Sequence, residues 1–304
     1  MKKIFLSLFC LSSIVSFSSE NENYVESNFY NGGKSAVIMT HFGTTHGDTR
    51  EKTINSINQK AIKAFEGKAD VFEAYTSRII NKRLSENQGI TKYNTTQVLN
   101  SLKKQGYENI IIQPTNIIDG IEMESIKKEV QKFDKDFKEI RVGSALLTNP
   151  EQYKNTILAV TKAAGKLKKN EAIVMVGHGT HDSATSAYAM FDYMAKDMDK
   201  PLYVGTVEGY PTFETVSKQL KKDGKKEVIL MPLMFVAGDH AKNDIAEDWK
   251  ENLEKEGYKV SVKLIPLGEI KEVQDIFIEN AKILEKYKAV DIVEKKEAYS
   301  KGLK

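Results

Sequence analysis

Cysteine is almost absent from this chain. Its 304 residues include one cysteine, Cys10, which lies close to the N-terminus in a segment that we expect to be removed on export. A mature protein without thiols can form no disulfide bond. Cysteine-based metal sites and cysteine nucleophiles are excluded for the same reason.

A strong excess of charge of one sign is also absent. The net charge of +3 is too small to indicate a nucleic-acid partner, and the Lys-rich stretch 218–226 is interrupted by Asp223. Hydrophobic residues make up 40% and charged residues 29% of the chain, which is ordinary for a soluble globular protein. The length allows one large or two medium domains.

The N-terminus carries an apolar run, 4–15, that is too short to cross a membrane comfortably. It follows Lys2 and Lys3 and precedes the small-x-small pattern Ser16–Ser18. These features predict a secretory signal peptide over 1–18, cleaved after Ser18, and a periplasmic or otherwise exported protein with no stable membrane span after cleavage. Residues 19–33 are polar, end in two glycines and are expected to form a flexible leader.

Strand and helix patterns alternate along the remaining chain. Apolar, β-branched runs predict strands and 3.6-residue periodicity predicts helices. The expected strands are 34–41, 69–75, 108–114, 138–145, 171–177, 201–207, 226–233 and 259–265, and the expected helices are 49–66, 95–105, 120–133, 150–168, 183–196, 211–222, 239–256 and 270–288. This rhythm predicts an α/β fold with parallel sheets and right-handed crossovers.

Two pairs of segments resemble each other. Segment 36–44 parallels 172–180, and 110–122 parallels 228–240. The repetition indicates an internal duplication that produces two similar lobes, each a parallel four-stranded sheet flanked by helices, with an active-site cleft between them. We expect an N-terminal lobe over 34–148, a C-terminal lobe over 149–288 that carries the site, and a charged tail over 289–304.

All five histidines follow predicted strands, where open α/β sheets bind ligands. They are His41, His46, His178, His181 and His240. His178, Glu208 and His240 would supply two imidazoles and a carboxylate, a donor set that suits several divalent transition metals. The spacing of these residues alone does not decide between a metal site and structural histidines.

The loop after strand 171–177 matches neither a nucleotide-binding motif nor a hydrolase motif. Its Gly-His-Gly-Thr sequence lacks the lysine or repeated glycines of a nucleotide site, and no Gly-x-Ser-x-Gly of a hydrolase occurs. Gly177 and Gly179 are expected to let the backbone turn sharply and approach a ligand. Asp182 and Asp239 each begin a helical run, which favours a role as helix N-caps.

Several large side chains cluster around the same loops and support two interpretations, an apolar wall for a large flat ligand or ordinary core packing. They are Phe42, Tyr75, Tyr210, Met234 and Phe235.

Four segments resemble the anaerobic sirohydrochlorin cobaltochelatases of the CbiK type, which are class II chelatases with the ferrochelatase fold. They are 41–45 (HFGTT), 176–180 (VGHGT), 205–211 (GTVEGYP) and 232–240 (PLMFVAGDH). The resemblance extends from about Lys34 to about Glu285. It implies that His178, Glu208 and His240 bind the metal and that His178 accepts a proton.

The implied reaction is insertion of Co²⁺ into sirohydrochlorin or a related macrocycle, with Fe²⁺ or Ni²⁺ as alternative substrate metals and no organic cofactor. The tetrapyrrole is the expected partner, with no nucleic acid. Its acidic side chains and ring are expected to meet residues of both lobes; these candidates are His41, Phe42, Thr44, Arg78, Glu122, Phe235 and Lys242.

The predicted signal peptide departs from the cytoplasmic setting of cobalamin synthesis, which most such chelatases serve. An exported haem or metal carrier on the same fold is therefore an alternative, as is a dechelatase that removes iron from haem. A complete His, Glu, His set favours the enzyme, because a carrier needs only one axial ligand.

Overall fold

The computed structural model describes residues 24–238, 245 and 247–301, apart from the side chain of Ala298. The predicted signal peptide, Asp239, His240, Lys242 and Asp244 lie outside this part of the chain. Among the described residues, no helix is both long enough and apolar enough to cross a bilayer.

Two four-stranded parallel sheets form the frame, as predicted. The first has the order β3-β2-β4-β5, and the second the order β7-β6-β8-β9. Their strands are β2 (Lys34–His41), β3 (Asp70–Tyr75), β4 (Tyr107–Pro114), β5 (Glu139–Val142), β6 (Glu171–Gly177), β7 (Leu202–Thr206), β8 (Glu227–Pro232) and β9 (Lys259–Val262).

Helices flank both sheets. They are α1 (Gly47–Arg50), α2 (Ser56–Ala64), α3 (Arg78–Gln88), α4 (Thr95–Lys104), α5 (Ile121–Gln131), α6 (Pro150–Ala164), α7 (Ser186–Asp197), α8 (Phe213–Lys222), α9 (Lys250–Lys255), α10 (Lys271–Lys286) and α11 (Ile292–Ser300). A π-helical stretch, Glu51–Asn55, joins α1 to α2, and short 3₁₀ turns cover Ser183–Thr185 and Leu267–Glu269.

The strand registers support the duplication. Ala36 pairs with Ile110 in the first sheet, and Ala172 pairs with Val228 in the second. These four residues open the segments that resemble each other in sequence. Equivalent residues therefore hold equivalent places in the two sheets.

One helix joins the two lobes. Although α10 follows the second sheet in the chain, it packs against β4 of the first sheet, as well as against α2 and α6. One core cluster consequently contains Val37 and Ile111 from the first sheet together with Met175 from the second. The boundary at 148/149 divides the sequence repeats but not the packing.

The segments expected to be a flexible leader and a charged tail are structured where they are described. Strand β1 (Tyr24–Glu26) pairs antiparallel with β10 (Tyr287–Ala289), and α11 follows. Phe29 is fully buried in the core. Residues 24–29 of the expected leader are therefore held against the end of the chain, because each short terminal segment supplies the other with backbone partners.

Candidate functional site

The loops after β6 and β7 are joined through their backbones. Val207 N donates to Gly177 O and Glu208 N donates to His178 O, each at 3.0 Å. These two bonds extend the β6–β7 pairing past the ends of both strands. They hold Glu208 beside His178 at the carboxyl edge of the second sheet.

Glycines make this approach sterically feasible. Gly179 has φ +87°, and a Cβ there would lie 1.6 Å from Glu208 O. The backbone of Gly177 is not in the left-handed region. The lack of a side chain there makes room for the ring of Tyr188, because a Cβ on Gly177 would lie 2.4 Å from Tyr188 Cε1. Both glycines thus permit close contacts within the protein.

The carboxylate of Glu208 lies between two imidazoles. Its Oε1 is 3.4 Å from His178 Nδ1, and its Oε2 is 3.5 Å from His181 Nε2. His178 Nδ1 is also 3.1 Å from Gly179 O. About half of the His178 and Glu208 side chains is exposed, and 80% of the His181 side chain. In the described part of the chain, no three His, Cys, Asp or Glu side chains already form a metal site.

The opposite lobe meets this loop through α5. Asp182 Oδ1 accepts from Ala184 N at 2.7 Å, which confirms the predicted N-cap, and Asp182 Oδ2 accepts from Ile121 N at 3.2 Å. Glu122, next along α5, accepts from Thr76 Oγ1 at 3.4 Å. Glu122 therefore lies on the lobe that faces the His178 loop. Its predicted partner His240 lies outside the described residues.

Three candidate substrate residues are buried between the lobes. His41 is 1% exposed, with its ring nitrogens 3.0 Å from Thr115 Oγ1 and 2.9 Å from Asn58 Oδ1. Phe235 stacks on His41 at 5.9 Å, and Thr44 is 2% exposed. The structure therefore does not present His41, Thr44 or Phe235 to a ligand, because all three are buried, and the rings of His41 and Phe235 pack on each other between the lobes.

Burial also changes the acid–base behaviour of His41. It lowers the pKa of His41 to about 4, since no solvent stabilises the charged imidazole. Asn58 and Glu73 oppose this shift and Lys92 adds to it. His41 is thus a neutral structural residue near pH 7.

Among the large side chains, both interpretations apply. Phe42 and Tyr210 are about half exposed, at 50% and 52%, and remain available to a flat ligand. Tyr75 is fully buried and belongs to the core.

Arg78 is exposed, and its Nη2 bonds Glu129 at 2.6 Å. The arginine side of this ion pair is exposed and can be reached by a substrate carboxylate, whereas Glu129 is largely buried.

Sequence reasoning does not predict that His181 lies against Glu208. His181 is one of the five strand-end histidines, but the family resemblance does not include it in the ligand set. The signal available was its spacing, because His181 lies three residues after His178 in the same loop. Nothing in that spacing indicated that Glu208 would lie between them.

Comparisons with known proteins agree with this geometry. The family model "Cobalt chelatase (CbiK)" matches residues 35–285. The sirohydrochlorin cobaltochelatase of Salmonella typhimurium is 35% identical over 249 residues, which cover 81% of this chain and 94% of that protein. The sirohydrochlorin cobaltochelatase CbiKC of Nitratidesulfovibrio vulgaris is 29% identical over 258 residues, covering 81% and 89%.

Solved structures show the same fold. The structure of SirB from Bacillus subtilis with Fe³⁺ has a TM-score of 0.58 at 16% identity, and the match covers 82% of this chain and 94% of that one. At this identity, the likeness concerns the arrangement of sheets and helices alone. Because the family model covers most of the sequence and the Salmonella relative aligns over nearly its whole length, the chain belongs to the cobalt chelatase (CbiK) family.

Proposed function

We propose that this protein is a tetrapyrrole metal chelatase that inserts Co²⁺ into sirohydrochlorin. The names of the two relatives support the substrate and the metal. The observation that carries the proposal is the placement of Glu208 beside His178 at the edge of the second sheet, opposite α5 of the first lobe. An imidazole and a carboxylate at the junction of two lobes suit a metal that must be bound and then released.

In the proposed site, His178, Glu208 and His240 bind the incoming metal. The carbonyl of Gly179 accepts from Nδ1 of His178, which favours the tautomer whose lone pair is on Nε2. Glu208 neutralises part of the metal charge. His240 completes the set on the strength of the family motif, in which it follows Pro232–Asp239.

The reaction exchanges a divalent cation for two pyrrole N–H protons. A nitrogen of His178 that holds the metal cannot hold a proton at the same time. As the metal passes to the macrocycle nitrogens, the lone pair of His178 becomes available for a pyrrole proton. His178 therefore acts first as ligand and then as base, and it takes the two pyrrole protons one after the other, with Glu208 relaying each towards solvent before the next is accepted.

The macrocycle is proposed to lie between the lobes. Phe42 and Tyr210 offer exposed ring faces to it, while Arg78 meets a carboxylate of the substrate. Glu122 faces the macrocycle from the first lobe. Fe²⁺ and Ni²⁺ remain candidate metals, because imidazole and carboxylate ligands bind both.

We also propose that the protein is exported after cleavage at Ser18. The Lys-Lys start, the short apolar run and Ser16–Ser18 support this. The signal-peptide pattern is the observation that favours the alternative of a haem or metal carrier, or of a dechelatase. N-terminal sequencing of exported protein should begin near Ser19, and recovery of the full-length chain in the cytoplasm would contradict export.

Substitution of the three ligands tests the mechanism. We expect His178→Ala to lower the insertion rate by about 10² to 10⁴-fold, because it removes both a ligand and the base. His240→Ala should weaken Co²⁺ binding by about 10- to 100-fold, and Glu208→Gln should weaken it while keeping the side-chain shape. Insertion rate and Co²⁺ affinity are measured, with circular dichroism as the folding control.

Glu254→Gln provides a matched control, since it removes an exposed carboxylate of α9 that pairs only loosely with Lys250, at 3.9 Å. It should leave both measurements unchanged. Near wild-type insertion by His178→Ala at unchanged Co²⁺ affinity would rule out the mechanism.

A further inference from the structure

Each oxygen of the Glu208 carboxylate faces a different imidazole. Oε1 is directed to His178 and Oε2 to His181. The proposed chemistry uses only the His178 side. On the His178 side the carboxylate faces Nδ1, the nitrogen that donates to Gly179 O, whereas on the His181 side it faces Nε2. The His181 side is therefore a separate pairing of an imidazole nitrogen with a carboxylate oxygen.

The separation of this second pair suits a metal ion. Two ligands that each lie about 2.1 Å from a metal, with a tetrahedral angle between them, are roughly 3.4 Å apart. The observed distance from His181 Nε2 to Glu208 Oε2 is 3.5 Å. It is long for a hydrogen bond between these groups, whose usual range ends near 3.2 Å.

His181 also lies on the outer side of the carboxylate. Its side chain is 80% exposed, against 43% for Glu208. The residue that follows it, Asp182, is held by hydrogen bonds to both lobes. The imidazole is therefore exposed to solvent on a loop that is fixed at the junction of the lobes.

We propose that His181 and Glu208 form an outer loading position, which takes hydrated Co²⁺ from solvent and passes it to the inner site, where Glu208 is also a ligand. This inference rests on the proposed function. Two protein ligands leave the remaining coordination positions to water, so the metal is held weakly and can move on.

The loading role predicts a specific kinetic pattern. His181→Ala should lower the rate of Co²⁺ uptake by the protein alone about tenfold, measured by stopped-flow absorption of the Co²⁺ bands. The kcat/KM for Co²⁺ in the insertion assay should fall by a similar factor. The kcat at saturating Co²⁺ should stay within twofold of wild type, because excess metal reaches His178 directly.

Two further variants separate ligation from other roles. His181→Gln offers Glu208 an amide N–H to bond but replaces the imidazole nitrogen with an amide oxygen, a much weaker ligand for Co²⁺, so it should behave like His181→Ala. Ser183→Ala removes an exposed side chain from the same loop and should match the wild-type protein in every measurement. Because the side chain of His181 is exposed, its variants are expected to fold like the wild-type protein, and circular dichroism checks this.

Wild-type uptake and kcat/KM in His181→Ala would overturn the loading position. Restoration of both by His181→Gln would do so too, because it would assign His181 to orienting Glu208 by a hydrogen bond. A fall in kcat at unchanged uptake would also contradict it. If the wild-type protein inserts no metal, the proposed function fails, whereas uptake by the protein alone still tests the loading position.

Discussion

At the scale of single residues, the distance between the β6 and β7 loops depends on Gly179. Its φ of +87° is unfavourable for any residue with a side chain, and a Cβ would overlap the carbonyl oxygen of Glu208. The same carbonyl belongs to the residue whose carboxylate separates the two imidazoles. Backbone packing at Gly179 and side-chain geometry at Glu208 are thus linked.

Gly179→Ala should therefore displace Glu208 and damage the site. We expect a loss of about 1 to 3 kcal/mol in the free energy of unfolding from strain, together with weaker Co²⁺ binding. Gly224→Ala is the matched control, because Gly224 also has positive φ, +65°, but nothing lies within 4 Å of its Cβ position. Urea denaturation and Co²⁺ titration measure the two effects, and equal Co²⁺ affinity in both variants would contradict the link.

The lowered pKa of His41 predicts that the stability of the fold depends on pH. Its pKa is lowered to about 4 by burial, against an unfolded value of 6.5. Between these values the unfolded chain binds a proton that the folded chain does not, so the free energy of unfolding falls as the pH falls from 6.5 towards 4. The slope is about 1.4 kcal/mol per pH unit for one proton.

The comparison with His41→Gln isolates this contribution from other titrating groups. Between pH 7 and pH 5 the wild-type protein should lose up to about 2 kcal/mol more stability than the variant, because about 1.5 units of that interval lie below 6.5. Urea denaturation at both pH values measures the difference. Identical losses in the two proteins would show that His41 does not stay neutral on folding.

The sequence could predict which residue types gather at the strand ends, but not which way each points. His178 and Glu208 were predicted correctly as neighbours, since both follow adjacent parallel strands. His41, Thr44 and Phe235 occupy similar strand-end positions yet are buried, His41 and Phe235 through a ring contact between the lobes. That difference arises from the packing of the lobes, which one-dimensional patterns do not contain.

At the scale of secondary-structure elements, Arg141 joins four segments. Its guanidinium pairs with Glu139 at 2.7 Å, bonds Ser27 Oγ at 2.9 Å and Tyr287 O at 3.1 Å, and also reaches Leu284 O. It is only 3% exposed. Strand β5, the β1–β10 ribbon and the end of α10 are therefore held by one side chain.

Arg141→Met should cost about 3 to 5 kcal/mol in the free energy of unfolding, because it leaves Glu139 and several carbonyl groups without their buried partner. Arg78→Met is the control, since the Arg78–Glu129 pair is exposed on the arginine side and its loss should cost about 1 kcal/mol or less. Urea denaturation of both variants gives the comparison. A cost at Arg141 no greater than at Arg78 would contradict this role.

Elements with a buried apolar face were predicted well, whereas polar and short ones were not. Helix α3 was missed because Leu84 is its only fully buried residue, although Ser77 caps its start and Gly89, with φ +64°, follows its end. Strands β1 and β10 have three residues each, and neither has an apolar pattern. Their pairing depends on contacts between residues some 260 positions apart, which local patterns cannot reveal.

At the scale of the whole molecule, the duplication was readable because repeated segments coincide with repeated registers. The packing of α10 against the first sheet could not be read from the sequence. Its amphipathic pattern shows that one face of the helix is buried, but not which sheet covers that face. The result is two similar sheets held together by a shared helix and a shared core. Their carboxyl edges meet where Thr49 Oγ1 donates to Ala237 O at 3.2 Å and Ile121 N to Asp182 Oδ2.

The central claim is that this junction of lobes inserts Co²⁺ into sirohydrochlorin. The most direct measurement is the absorption spectrum of sirohydrochlorin mixed with Co²⁺ and a catalytic amount of the purified protein, with Fe²⁺ and Ni²⁺ tested in parallel. We predict conversion to the cobalt complex over many turnovers and well above the rate without protein. Conversion no faster than in the protein-free mixture, or a spectral change that stops at one tetrapyrrole per protein, would contradict the account and favour a carrier.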